Sequence, residues 1–313
     1  MENPHLNSNI PESLDNKNND KEERNFLDMA HDKPNSVMYS MISNIISNII
    51  FNVIFRTILS IFSQHNSYYI PVGRTEIAHN LKNIISQNLI NEENGFSQAQ
   101  KYLTNDFVTM DYDKKGDFYD LATELEHELF KGSIEANIKH DIPNFYFLRE
   151  DKLKIENDKF SSSISELLPI ILYLKHIVKV GDTLIIEEPE SHLHPKNQRI
   201  LVKYLVRAVN KGLKILLTTH SDYIIEQLDI HLVLNNIPKN QKKMEIQKKY
   251  NYSEIDYLDS KDLKVYAFRE EENFSFSAYE LEFNELGIEK EDMMEIVNEL
   301  YDESDDIKEL LLE

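Results

Sequence analysis

The sequence predicts an α/β fold with a mostly parallel sheet, and three observations carry that prediction. Thr183 to Ile186 is a short β-branched apolar run without polar alternation, which is how a strand covered on both faces of a parallel sheet reads. Two carboxylates, Glu187 and Glu188, follow at its carboxyl end, where open parallel sheets gather their ligands. One helix further on, opened by Pro195 and closed by Gly212, Lys214 to Thr218 forms a second apolar run, expected to be another buried strand.

Residues 1–35 are rich in Asn, Asp, Glu, Lys and Pro and poor in large apolar side chains, so a disordered leader is expected there. Val37 to Phe62 is apolar and long enough to span a bilayer. Its polar residues Ser40, Asn44, Asn48, Asn52, Arg56 and Ser60 recur at every fourth position, however, as a stripe along one helical face. Arg56 and the asparagines would be costly in lipid, so the stretch reads as a helix packed on protein. Tyr68 to Glu76 reads as a short strand that breaks at Pro71 and Gly73 and presents Arg74. Ile77 to Gly132 reads as a helical insertion, with an acidic loop near Asp111 to Asp117 and an amphipathic helix from Phe118 to Phe130 carrying Leu121, Leu125 and Leu129.

Asn144 to Leu148 and Leu153 to Ile155 read as two short strands joined by a turn over Arg149 to Lys152. Ser161, Ser162 and Ser163 open a helix, with Glu166 in capping-box position to Ser163, and the helix is expected to run to about Val178 and stop at Gly181. Ser221 and Asp222 open another helix after His220. The tail alternates predicted strands (Leu232 to Leu234, Leu263 to Phe268, Phe274 to Ala278) with a lysine-rich link at Lys239 to Lys249, then an acidic helix from about Glu289.

The chain has 313 residues, 41% of them hydrophobic, enough for one large or two modest domains. Its 55 acidic and 34 basic residues leave a formal charge of -21, so it has no general footprint for nucleic acid, and any such contact is local or supplied by a partner. It has no cysteine, which excludes disulfides, thiolate metal sites and a thiol nucleophile. No basic segment leads into an apolar one at the start, so a cytoplasmic protein is expected.

Three segments, SSSISELLPIILYL, TLIIEEPESHLHP and ILLTTHSDYI, follow one another in that order. Together they resemble the signature helix, the Walker B strand with its D-loop, and the switch histidine of ABC-type ATPase heads, in particular the AAA-type ATPases of the SMC-like and OLD-like class. The resemblance covers about Tyr68 to the C-terminus. It extends to the Pro71–Arg74 strand end, which is similar to the "PxxR" of the family's first lobe, and to LEHELFKGSI, similar to the stretch that returns the family's insertion to the sheet.

The resemblance implies a partial P-loop NTPase fold using ATP and Mg²⁺. It divides the chain into the leader (1–35), a remnant first lobe with a helical insertion (36–143) and the C-terminal lobe of an ABC-type head (144–313). It also implies roles for single residues. Glu188 would be the catalytic base and Glu187 the residue that holds Mg²⁺, in the Glu-Glu pairing of the OLD-like branch. Ser161, Ser162 and Ser163 would meet the γ-phosphate, Glu190, Ser191, His192 and His194 would form the D-loop facing an opposing head, and His220 would sense the γ-phosphate. Arg74 would serve either at the nucleotide or in an ion pair with a nearby acid. Zinc binding by His192 and His194 is weakly argued, with no third ligand in view.

A P-loop needs GxxxxGK[ST], and none of Gly73, Gly95, Gly116, Gly132, Gly181, Gly212 or Gly287 is followed by lysine. Three readings stay open. The chain is the C-terminal lobe of an ATPase that acts as a homodimer or with a P-loop-bearing partner, serving an effector in DNA repair or phage defence. Alternatively it is a degenerate interaction module that does not hydrolyse ATP. The third reading, an OLD-type nuclease, lacks a strand-end Glu followed by Asp-x-Asp in the tail.

Overall fold

The computed structural model describes residues 65–86, 97–139, 142–271, 275–289 and 295–309. The expected leader and the Val37 to Phe62 helix lie outside these residues. Among the described residues no helix is long and apolar enough to cross a membrane.

The central sheet is parallel and three-stranded. Strand β1 (Ser67–Ile70) pairs with β5 (Thr183–Glu187), which pairs with β6 (Lys214–Thr218), in the order β1-β5-β6. The register sets Ile70 beside Ile186 and Glu187 beside Thr218, so all three strands end at one level. Leu184, Ile185 and Ile186 are buried, as a central strand with apolar side chains on both faces requires.

Between β1 and β5 the chain forms helices α1 (Arg74–Ser86), α2 (Gln98–Thr109) and α3 (Tyr119–Phe130). An antiparallel sheet of β2 (Gly132–Lys139), β3 (Ile142–Arg149) and β4 (Lys154–Glu156) follows them. Helix α3 buries Leu121 and Leu125 at the predicted spacing. Strand β2, not anticipated, alternates apolar Ile134, Ala136 and Ile138 with polar Ser133, Glu135, Asn137 and Lys139, a period-2 strand pattern that was there to be read in the sequence.

Helix α4 (Ser162–Leu172) is buried over nearly its whole length and continues into a single π-helical turn, Tyr173–Ile177. Pro169 lies inside it and removes one backbone donor. The N-cap is Ser161, whose side chain accepts from the Ile164 amide, not Ser163 as the capping-box pattern suggested; Glu166 is drawn away to another partner.

Helix α5 (Pro195–Asn210) begins at proline as expected, with His194 as its N-cap, and ends before Gly212, which takes φ +97. It has two buried faces. Leu201, Leu205 and Ala208 join the core beneath the sheet, while Val202 and Val206 join a second cluster with Ile224, Ile225, Leu228 and Leu232 of helix α6 (Asp222–Asn236).

The structure corrects three further expectations. Strand β6 is not buried: its residues alternate between half-covered and exposed, Leu216 is 41% exposed, and β6, like β1, is an edge of the sheet among the described residues. Leu232 to Leu234 is helical, because α6 is apolar on several sides and a short apolar run cannot distinguish a strand from a buried helix turn. The lysine-rich link is helix α7 (Gln241–Tyr250), capped by Asn240 and Asn251. The hairpin of β7 (Tyr266–Glu271) and β8 (Ser275–Glu280) lies close to its predicted place; the short strands β9 (Phe283–Asn284) and β10 (Gly287–Ile288) and the acidic helix α8 (Glu295–Glu309) complete the described chain.

Candidate functional site at the carboxyl end of the parallel sheet

Strand β5 ends on Glu187, and the next residue turns sharply. Glu188 takes φ +41, a left-handed conformation that costs a residue with a side chain about 1–2 kcal/mol. Hydrogen bonds from both sides hold it there. Its amide donates to the carbonyl of Thr218 (3.0 Å) and to Thr218 Oγ1 (3.3 Å), and its carbonyl accepts from Arg74 Nη2 (2.8 Å).

Glu187 is fully engaged. One carboxylate oxygen accepts from the Tyr69 hydroxyl and the other from the Val72 amide at 3.1 Å. Both partners come from β1 and the turn after it, which the parallel pairing brings alongside. Glu188 is less committed, with Oε2 accepting from Ser191 Oγ at 3.2 Å.

The loop to α5 folds back on these acids. The Ser191 amide donates to the Glu188 carbonyl (3.1 Å) and the Leu193 amide to the Glu190 carbonyl (2.9 Å), with His192 at φ +58. Glu190 Oε1 accepts from Thr219 Oγ1 (2.8 Å) and the His220 amide (2.7 Å), tying this loop to the end of β6. The His220 side chain is exposed at that junction, and Ser221 Oγ donates to Gln198 Oε1 of α5 at 2.5 Å. Ser163 Oγ donates to the His192 carbonyl at 3.1 Å, so the first turn of α4 reaches the same loop; Ser162 beside it is exposed. The structure thus brings Glu187, Glu188, Glu190, Ser191, His192, Ser163 and His220 into one connected cluster.

Arg74 departs from the expectation that it faces a nucleotide. It is the first residue of α1, not a strand end, and it is fully buried. Its Nη2 lies 2.6 Å from Glu166 Oε1, its Nε donates to the Glu166 carbonyl (3.2 Å), and its Nη1 donates to the carbonyls of Pro71 (3.1 Å) and Glu187 (2.6 Å). Burial pushes the guanidinium's pKa down, and Glu166 first, then Glu190, Glu188 and Glu187, oppose that by favouring its charge. Of the two roles open to Arg74 in the sequence, this geometry supports the ion pair.

Sequence reasoning missed Glu166, Tyr69 and Thr218 as members of the cluster. Glu166 carried a usable signal, because a lone acid in the apolar run from Ile164 to Leu172 must be paired if it is buried. Tyr69 and Thr218 carried none, since their placement depends on strand register.

The carboxylates of Glu187, Glu188 and Glu190 are oxygen donors of the type a hard cation takes, and Glu190 Oε2 is buried with no hydrogen-bond partner among the described residues. Still, no group of three or more metal-binding side chains converges among the described residues, and Glu187 is already occupied by protein donors. His194 Nδ1 accepts from the Lys196 amide, so that nitrogen caps α5 and is not free for zinc. The fit to Mg²⁺ and ATP is therefore partial. The acidic end is in place, and no glycine-lysine pair exists in the sequence to cradle phosphates.

A parallel sheet with paired acids at a strand end, next to a strand that closes on an exposed histidine, is the α/β arrangement found here in an AAA-type ATPase-like domain. The chain belongs to the family described as "AAA domain, putative AbiEii toxin, Type IV TA system", whose model matches residues 13–226, well over half its length. No curated protein matches it.

Among solved structures it is similar to one described as "Structural biochemistry of ATP-driven dimerization and DNA stimulated activation of SMC ATPases", at 10% identity and a TM-score of 0.37 over 59% of this chain and 91% of that one. It is also similar to the Smc head domain with a coiled coil and joint from Pyrococcus yayanosii (12% identity, TM-score 0.35), over 70% of this chain and 34% of that one. The Smc head domain with an extended coiled coil bound to the C-terminal domain of ScpA, from Pyrococcus furiosus, matches at 12% identity and a TM-score of 0.34, over 90% of this chain and 56% of that one.

Proposed function

We propose that this chain supplies the acidic, water-activating half of an ATP-hydrolysing site, and that the phosphate-cradling half comes from a partner chain or from a segment outside this sequence. One observation carries the reading: two strand-end acids, the loop after them, the serine turn of α4 and the His220 junction form one hydrogen-bonded unit, while no P-loop lysine exists in the sequence. On this reading Glu188 is the general base that takes the proton of the attacking water. Ser191 orients its carboxylate, Glu187 fixes the strand end and would meet Mg²⁺ only through the lone pairs that Tyr69 and Val72 leave open, and the exposed His220 and Ser162 face the incoming phosphate. Bound Mg²⁺ would supply charge neutralisation on the phosphate oxygens.

The lobe that does this is residues 144–313, with 36–143 a first lobe enlarged by a helical insertion and 1–35 a leader. The open side of β6 supports the addition of a further strand there. A cytoplasmic homodimer or heteromer serving a DNA-repair or phage-defence effector fits the family resemblance.

The test is nucleotide turnover by the chain alone and with a P-loop-bearing partner, with Glu188→Gln as control. Turnover that appears only with the partner and is lost in Glu188→Gln, with binding of a fluorescent ATP analogue and Mg²⁺ kept, supports the reading. A second reading, an interaction module without hydrolysis, is favoured by the occupation of Glu187 by Tyr69 and Val72. Turnover indifferent to Glu188→Gln, or absent with every partner tried, would select it.

A further inference from the structure

Arg74 ties two distant segments to the start of α1. It is held by Glu166 from α4, and it holds the carbonyls of Glu187 and Glu188 at the end of β5. The other carboxylate oxygen of Glu166 accepts from the Thr75 hydroxyl, so the glutamate is fixed on both sides by the start of α1. The pair is buried, with side-chain exposures of 0% and 3%. A planar guanidinium is rigid and offers several donors in fixed directions, so the positions of its acceptors are interdependent. One of those acceptors, the Glu188 carbonyl, belongs to the residue at φ +41, whose conformation persists only while its surroundings enforce it.

We propose that Arg74 and Glu166 form a latch through which the first turns of α4 set the backbone conformation, and so the aim, of Glu187 and Glu188. The influence of Glu166 on the strand-end turn passes through Arg74, which makes both of them positioning residues. Ser161 to Ser163 sit one turn before Glu166 on the same helix, so a ligand or second head pressing on the serine turn shifts Glu166, and through Arg74 it shifts Glu188. The site is then regulated by engagement of the serine turn.

The importance of the latch for hydrolysis rests on the function proposed above; its existence does not. The deciding measurement is residue-resolved amide hydrogen exchange on the full chain without nucleotide, comparing wild type with Arg74→Lys, Glu166→Gln and Thr75→Val. Lysine keeps a charge for Glu166 and cannot reach both carbonyls. Glutamine and valine alter the far end of the latch and leave the turn's own contacts intact.

The amides of Ser191 and Leu193, which close the turn, are expected to exchange about tenfold faster in Arg74→Lys and Glu166→Gln and about threefold faster in Thr75→Val, beyond any change in the α4 core amides Leu168 to Leu172. The proposal is overturned if Glu166→Gln and Thr75→Val alter exchange only in α4 and α1 and leave Ser191 and Leu193 at the wild-type rate. If Arg74→Lys does not fold, these two milder variants decide the matter. In a turnover assay with a P-loop partner, the latch variants should lower kcat and leave nucleotide affinity unchanged. A positive exchange result with no turnover under any condition keeps the latch and rejects the hydrolysis reading.

Discussion

His231 on α6 is fully buried, and both of its ring nitrogens are engaged: Nδ1 lies 2.5 Å from the Asp256 carbonyl and Nε2 3.1 Å from Gln227 Nε2. Burial pushes its pKa down from 6.5 to about 4, helped by the positive charges of Lys203 and Arg207 and opposed by the Asp256 carbonyl and carboxylate. A histidine whose folded pKa is depressed contributes stability that is complete above its unfolded pKa and is lost as pH falls toward the folded value. The window here runs from about 6.5 down to about 4.

At roughly 1.4 kcal/mol per pH unit, the full contribution is about 3 kcal/mol, and most of it is already lost at pH 4.5. Urea unfolding of wild type and His231→Gln, at steps between pH 4.5 and 7.5, measures the term directly, because the other titrating groups cancel in the difference between the two proteins. Wild type should lose about 2–3 kcal/mol more than the variant on acidification. A difference independent of pH, or one that grows as pH rises, would refute the account of a neutral histidine excluded from water.

Glu126 behaves in the opposite sense. Its side chain is fully buried 2.6 Å from Lys175 Nζ, and burial raises its pKa from 4.5 to about 7 against the pull of Lys175. Its contribution is therefore complete below about pH 4.5 and lost as pH rises through 7. The double variant Glu126→Gln, Lys175→Met should lack that decline, and its stability relative to wild type should improve by up to about 3 kcal/mol between pH 4.5 and 7.5 in the same urea series. On β6, Leu216→Lys changes an exposed edge residue, so stability should move by less than about 0.5 kcal/mol, while partner-dependent turnover should vanish if a strand is added there.

What was legible in the sequence is what local chemistry decides. Thr183 to Glu187 read as a strand because β-branched residues with no polar alternation have few alternatives, and Pro195 and Gly212 mark the limits of α5 by backbone geometry alone. Ser221 stands at the N-cap position where the sequence puts it, although its hydroxyl donates to Gln198 and makes no cap bond. What was not legible depends on neighbours. Arg74 looks the same in sequence whether it faces solvent or four acids, and only the pairing of β1 with β5, more than a hundred residues apart, decides which. Strand β6 shows the same limit: the run from Lys214 to Thr218 reads as a core strand although one side of it stands open among the described residues, because hydrophobicity reports a preference for cover and not its presence.

The open side of β6 also bears on how the isolated chain behaves in solution. Among the described residues β6 has one unpaired edge with an exposed leucine, which invites another strand to add to it, whereas a formal charge of -21 holds copies of the chain apart. The reach of that repulsion is set by ionic strength, about 10 Å at 0.1 M salt and about 3 Å at 1 M. Colloidal stability is thus a balance that salt can tip: dilute buffer favours dispersed molecules, and concentrated salt favours edge-to-edge association.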